Sequence, residues 1–228
     1  MWRLRIFLLG CLSALPAAAQ TPALDPGGAD NHTQLPTVWF QVEWPAANPS
    51  RYVVAVDSAG HAAYSSIGTE VTGRSAGDAY TIEFQMSPAS TQMVFGAAER
   101  LRYFDGKFEF KKRVAFTGSK TLTYADSARH LSTTYNYSDN RDVDALTHLF
   151  GGISATMEFD HRLQFMMRYN KLGLYDELKQ MLSAANAGWL AELQIVAPTL
   201  QAIANDRTVM HVARVTASQI LAKAAVTP

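Results

Sequence analysis

DGKFEFKKRVAFTGSKTLTYADSARHLSTTYNYSD, residues 105–139, is the stretch in which the chain changes character. Upstream of it, apolar residues recur at every second position; downstream they recur at helical spacing. Within it, Val114–Phe116 and Lys120–Tyr124 read as strand, with Gly118 as a bulge or bend between them. Asp126 to Arg129 turns the chain, and Leu131, Thr133, Tyr135 and Tyr137 alternate back. The stretch is also locally basic. From Glu99 to Lys120 the cations are Arg100, Arg102, Lys107, Lys111, Lys112, Arg113 and Lys120, opposed only by Glu99, Asp105 and Glu109.

Upstream, Val38, Phe40, Val42 and Trp44 alternate with Trp39, Gln41 and Glu43, a half-buried strand that Pro45 and Pro49 stop. Tyr52–Val56 reads as a second strand, Asp57–Gly60 as a turn and His61–Ser66 as a third strand. Gly68, Gly73 and Gly77 mark a loose connection, after which Tyr80, Ile82, Phe84 and Met86 form one face of a fourth strand. Ser87-Pro88 opens a helix, a capping hydroxyl followed by proline at the first helical position. Its apolar face is Met93, Val94, Ala97, Ala98 and Leu101, and it is expected to end near Phe104.

Downstream, Asp139, Asp142 and Asp144 suit the first turn of a helix, where negative charge complements the dipole. Val143, Leu146, Phe150 and Ile153 share a face, and Gly151-Gly152 is expected to kink or end that helix. Apolar residues at helical spacing continue to Ile220, punctuated by Gly173, Gly188 and Pro198, which predicts a bundle of four or five helices. The expected fold class is α+β. An antiparallel sheet of about six strands carries one packed helix over residues 37–137, and a helical bundle over 138–226 packs on it.

The first residues read as an export signal. Arg3 and Arg5 precede the apolar Ile6–Leu15, Pro16 breaks the run, and Ala17-Ala18-Ala19 supplies small residues for cleavage before Gln20. Residues 1–19 are thus expected to be removed, and 20–36, rich in Pro, Gly, Asp and Asn, to form a leader. The expected location is secreted or periplasmic. A competing reading takes Leu8-Leu9-Gly10-Cys11 as a lipoprotein signal, with Cys11 lipidated. Cys11 is the only cysteine, so the processed chain has no disulfide or thiolate chemistry. Hydrophobic residues make up 48% and charged residues 18%, a globular balance rather than a disordered one. No later apolar run is long enough to span a membrane. Loss of Arg3 and Arg5 leaves the processed chain slightly acidic, so overall charge names no partner, and no nucleic acid is expected.

Tyr52-x-x-x-Val56-Asp57-x-x-Gly60-x-x-x-Tyr64, followed by the serine-capped helix, resembles small secreted bacterial domains of unknown function. The run Val114–Tyr124 and the Tyr135-Asn136-Tyr137-Ser138 entry into helices are similar to uncharacterised exported proteins of soil bacteria. The resemblance implies a bacterial periplasm or exterior, and no activity or site residues.

Motifs with a mechanism fail on their details. Glu158-x-x-His161 has the spacing of a carboxylate-bridged di-metal bundle, but the second such pair is missing, and a surface pair on a helix is the expected reading. Asn140-x-Asp142-x-Asp144 begins like a calcium loop, yet Ala145 and Gly151 stand where glycine and glutamate are required. Gly118-Ser119-Lys120-Thr121 lacks the upstream glycine and following helix of a phosphate loop. The six histidines offer no i, i+4 pair, so no metal and no cofactor are expected. Two readings of function remain. One is a non-catalytic binding or scaffold protein of the cell envelope, whose partner is an unidentified macromolecule. Lys111, Lys112 and Arg113 would then centre an anion-facing patch, and Trp39, sharing a face with Gln41 and Glu43, would be a stacking platform. The alternative is a secreted hydrolase with catalytic residues scattered in sequence; whether the chain is an enzyme stays open at this level.

Overall fold

The computed structural model describes residues 35–68 and 79–225. The chain divides into two units, Met1–His32 and Thr33–Pro228, and the described residues belong to the second. The predicted signal, Cys11, nearly all of the leader, and Gly73 and Gly77 of the predicted connection lie outside the described residues.

Six antiparallel strands form one sheet: β1 (Thr37–Glu43), β2 (Arg51–Asp57), β3 (His61–Ile67), β4 (Ala79–Gln85), β5 (Ser119–Ala125) and β6 (His130–Tyr135), in the order β4-β3-β2-β1-β5-β6. The alternation read along the chain fixes which face is covered. Phe40 stands opposite Val54 on one side and Leu122 on the other, and all three are fully buried. Their neighbours on the strand, Trp39, Gln41, Thr121 and Thr123, take the opposite face with Ala55 and Ser65. The β2–β3 turn needs Gly60, which has φ +85°; Asp57 Oδ1 accepts from Ala59 N–H and His61 N–H at 2.9 Å each.

Two helices cover the apolar face: α1 (Pro88–Arg100) and the first half of α2 (Arg141–Tyr169). Phe150 of α2 stacks on Phe40 with ring centroids 5.1 Å apart. Ser87 caps α1 as read, accepting from Ser90 N–H. The helix ends at Arg100, earlier than expected, because the next residues leave right-handed space: Arg102, Tyr103 and Phe104 have φ of 52°, 58° and 70°. This left-handed turn buries Phe104 and lays Tyr103 against Tyr124, with the Arg129 guanidinium 3.7 Å above the Tyr103 ring.

Two sequence expectations are corrected. Gly151-Gly152 neither kinks nor ends its helix; α2 runs unbroken for 29 residues. Gly152 serves close packing instead, since a Cβ there would meet Ala191 at 3.0 Å. Val114–Phe116 is not strand. The β1–β5 ladder ends at Glu43–Ser119, so residues upstream of Gly118 have no strand to pair with. Gly118 itself turns at φ +98° against the side of Trp44.

The remaining helices, α3 (Leu174–Asn186), α4 (Ala197–Asn205) and α5 (His211–Ala224), gather around a second core. Pro198 sits in the first turn of α4, where its missing N–H costs nothing. The division between the two cores falls inside α2: Met157 belongs to the sheet core and Leu163 to the bundle core. Buried Glu192 ties bundle to sheet, accepting from Ser87 N–H at 2.7 Å and Ser87 Oγ at 2.8 Å.

Candidate functional site: a basic finger before β5

Between the left-handed turn and β5 the chain makes an excursion without regular secondary structure, residues 105–118. Its outer part, Lys111-Lys112-Arg113-Val114-Ala115-Phe116-Thr117, is exposed at all seven positions. Long solvated stretches are usually loose; this one is fastened at its base, with Asn136 at the centre. Asn136, just past β6, accepts from Thr117 N–H through Oδ1 at 2.7 Å and donates through Nδ2 to the Ala115 carbonyl at 2.9 Å. Its backbone N–H donates to Glu109 Oε2 at 2.5 Å. Phe110 N–H donates to the Tyr137 carbonyl at 2.8 Å, and the two rings meet edge to face at 5.4 Å. Both limbs of the excursion are therefore bolted to Asn136-Tyr137, and the tip is presented as a finger.

Lys120, counted by sequence among the basic residues, belongs to this fastening. Its Nζ donates to the Asn136 carbonyl at 2.7 Å and the Thr117 carbonyl at 3.1 Å. Burial lowers its pKa below the ordinary lysine value, with Glu109 opposing the shift. Arg100 is also committed, to Asp142 at 2.7 Å. The cations left on the finger are Lys107, Lys111, Lys112 and Arg113, none of them ion-paired among the described residues. Sequence reading found the three central cations; it missed Asn136, whose role depends on a contact spanning about twenty residues.

The finger is not only basic. Phe116 is 61% exposed, Val114 39% and Tyr137 45%. Trp39, the fourth predicted binding residue, is elsewhere. It is half-buried on the sheet face opposite α1 and α2, between Ala55 and Thr123, four residue pairs or about 13 Å along the ladder from the finger's end. Lys111, Lys112 and Arg113 are consecutive and all exposed on the finger, and Trp39 lies apart from them.

A cavity of about 400 Å³ opens under the finger's base, lined by Trp44, Tyr52, Thr117, Lys120, Ser154 and Glu158 among others. Glu158 is buried, which overturns its reading as half of a surface pair. Its Oε1 accepts from Tyr64 at 2.9 Å and Ser66 at 2.6 Å, and Ser154 Oγ lies 3.0 Å from the Tyr64 oxygen. Burial first, and the Glu158 charge second, push the Tyr64 pKa far above the phenolic range. His161 stacks on Tyr80 at 4.2 Å. Through Tyr64, Ser66, Ser154 and Glu158 this cluster fastens α2 to β3.

A second cavity, about 570 Å³, lies beside α1 and is walled by Gln85, Thr91, Phe95, Glu99, Tyr103 and Tyr124 among others. Among the described residues, neither lining includes a histidine. Among the described residues, no group of three or more His, Cys, Asp or Glu side chains is placed to hold a metal ion, and no helix is long and apolar enough to cross a membrane. No protein-family model matches this sequence, and no curated protein matches it.

Proposed function

We propose that the chain is an exported binding module of the bacterial cell envelope, acting without catalysis, and that the 107–117 finger is its binding face. The observation that carries this reading is the finger itself. It is an excursion fastened at its base and exposed at every position from Lys111 to Thr117, with three adjacent cations that make no ion pair among the described residues, on a processed chain that is otherwise net acidic. A fold gains nothing in stability from holding like charges together, so such an arrangement is best explained by an anionic partner. The proposed location, secreted or periplasmic, follows from the tripartite N-terminus, and lipidation at Cys11 is the competing form of the same export route.

Co-sedimentation with isolated envelope fractions tests the binding face. The wild-type protein should pellet at low salt and be released as salt shortens the Debye length from about 10 Å toward 3 Å. Lys111→Ala with Lys112→Ala should remain in the supernatant at every salt concentration. A double variant that pellets like the wild type would remove the finger from the function.

A further inference from the structure

The finger joins two chemistries that one class of partner satisfies together. Three cations, Lys111, Lys112 and Arg113, run directly into Val114, Ala115 and Phe116, all exposed. Phe116 presents more than half of its surface to water, and the Phe110–Tyr137 edge-to-face pair stands at the finger's base. What sets Phe116 apart is its place: an exposed large aromatic in the same short exposed run as three cations. The Asn136 bonds to Thr117 and Ala115 bracket Phe116 and fix its backbone while its side chain stays exposed.

We infer that the finger is an interfacial membrane anchor. Lys111, Lys112 and Arg113 meet anionic phospholipid headgroups, Val114 and Phe116 enter the acyl boundary, and Tyr137 lies at headgroup depth. This rests on the binding-face reading above and names the partner. An acidic polysaccharide offers the charge but no hydrocarbon for Phe116. Its hydroxyls would need hydrogen-bonding side chains, of which the exposed run has one neutral example, Thr117. A bilayer surface supplies both an anionic layer for the cations and an apolar layer for Val114 and Phe116. The rest of the processed chain is net acidic, which confines the attraction to this edge, so the protein would dock by it.

The test uses protein beginning at Gln20, the predicted processed form, in vesicle flotation. Vesicles of phosphatidylcholine mixed with phosphatidylglycerol are compared with pure phosphatidylcholine and with heparin beads. Binding to the mixed vesicles is expected. Lys111→Ala with Lys112→Ala should weaken it about thirty-fold, taking each cation near the surface at its usual worth. Phe116→Ser should weaken it about tenfold while leaving heparin retention unchanged. A Val114→Trp variant should show a blue-shifted emission on adding mixed vesicles. All substitutions fall at exposed positions, and unchanged circular dichroism verifies the fold. If Phe116→Ser floats like the wild type and the Val114→Trp emission stays put, insertion is wrong and the basic binding face stands. If the protein holds to heparin but never floats, the lipid assignment is overturned and the binding face again stands. If it holds to neither at low salt, both readings fall.

Discussion

Asn136 fixes the returning limb of the finger with one amide. Its oxygen takes the Thr117 N–H and its nitrogen gives to the Ala115 carbonyl, so both termini of the Phe116 backbone are fixed by a single planar group. Asn136→Ala should raise amide exchange across Ala115–Gly118 about tenfold and leave the global melting temperature nearly unmoved, since these bonds are solvent-exposed. An unchanged exchange rate would show that the finger is held by something else. Asp160 supplies a second residue-scale prediction. It is buried on α2, and burial raises its pKa, with Thr199, Gln164 and His161 pulling the other way. A carboxyl with a raised folded pKa favours folding most when protonated, so this group's contribution is present at low pH and is lost as pH rises through the folded value. Asp160→Asn keeps the shape without the charge. Its stability relative to wild type should improve between acid and neutral pH, measured by urea unfolding across that range; a gap independent of pH would contradict the assignment. Neither residue was legible in the sequence as anything but a polar position, and Glu158 was misread outright. Its partners Tyr64 and Ser66 lie more than ninety positions away, and a helical Glu–His spacing carries no information about which face meets the sheet.

At the scale of elements, the readable parts were those governed by local chemistry. Strict alternation placed β1 and its covered face, Ser87-Pro88 placed the start of α1, and Gly60 placed the β2–β3 turn. The failures occurred where tertiary contact overrides local preference. Gly151-Gly152 reads as a break because glycine is a poor helix former, yet α2 needs a small residue where Ala191 crosses it. Gly152→Val should cost about 2 kcal/mol by overpacking that crossing, as seen by chemical denaturation. Val114–Phe116 has strand composition but no partner, and composition alone cannot reveal that the ladder has already ended at Ser119. The left-handed turn after α1 was equally hidden, for Arg102, Tyr103 and Phe104 are not residues that favour positive φ. Arg102 is exposed, so Arg102→Gly relieves strain without removing a core contact. Allowing for the entropy glycine gains when unfolded, a net stabilisation of about 0.5–1 kcal/mol is expected. A loss of stability of that size would mean that the guanidinium makes a compensating contact.

For the whole molecule, the expectation of a six-stranded antiparallel sheet followed by helices holds. The sheet core and the bundle core share α2 as a common spine, and Glu192 clasps the start of α1 from the bundle side. The described residues should therefore melt in one transition, with calorimetric and van't Hoff enthalpies agreeing; two separated transitions would contradict a shared spine. Against these packed cores the finger is an excursion in which three exposed cations run directly into exposed apolar residues. That contrast is the basis of the functional account. Its most direct test is a hydrogen-exchange footprint of the processed protein with and without isolated envelope membranes at low salt. Protection confined to peptides covering Lys107–Thr117 and Asn136–Tyr137, and erased by high salt, is the predicted result. Protection centred on the open sheet face around Trp39, with the finger exchanging as freely as in solution, would contradict it.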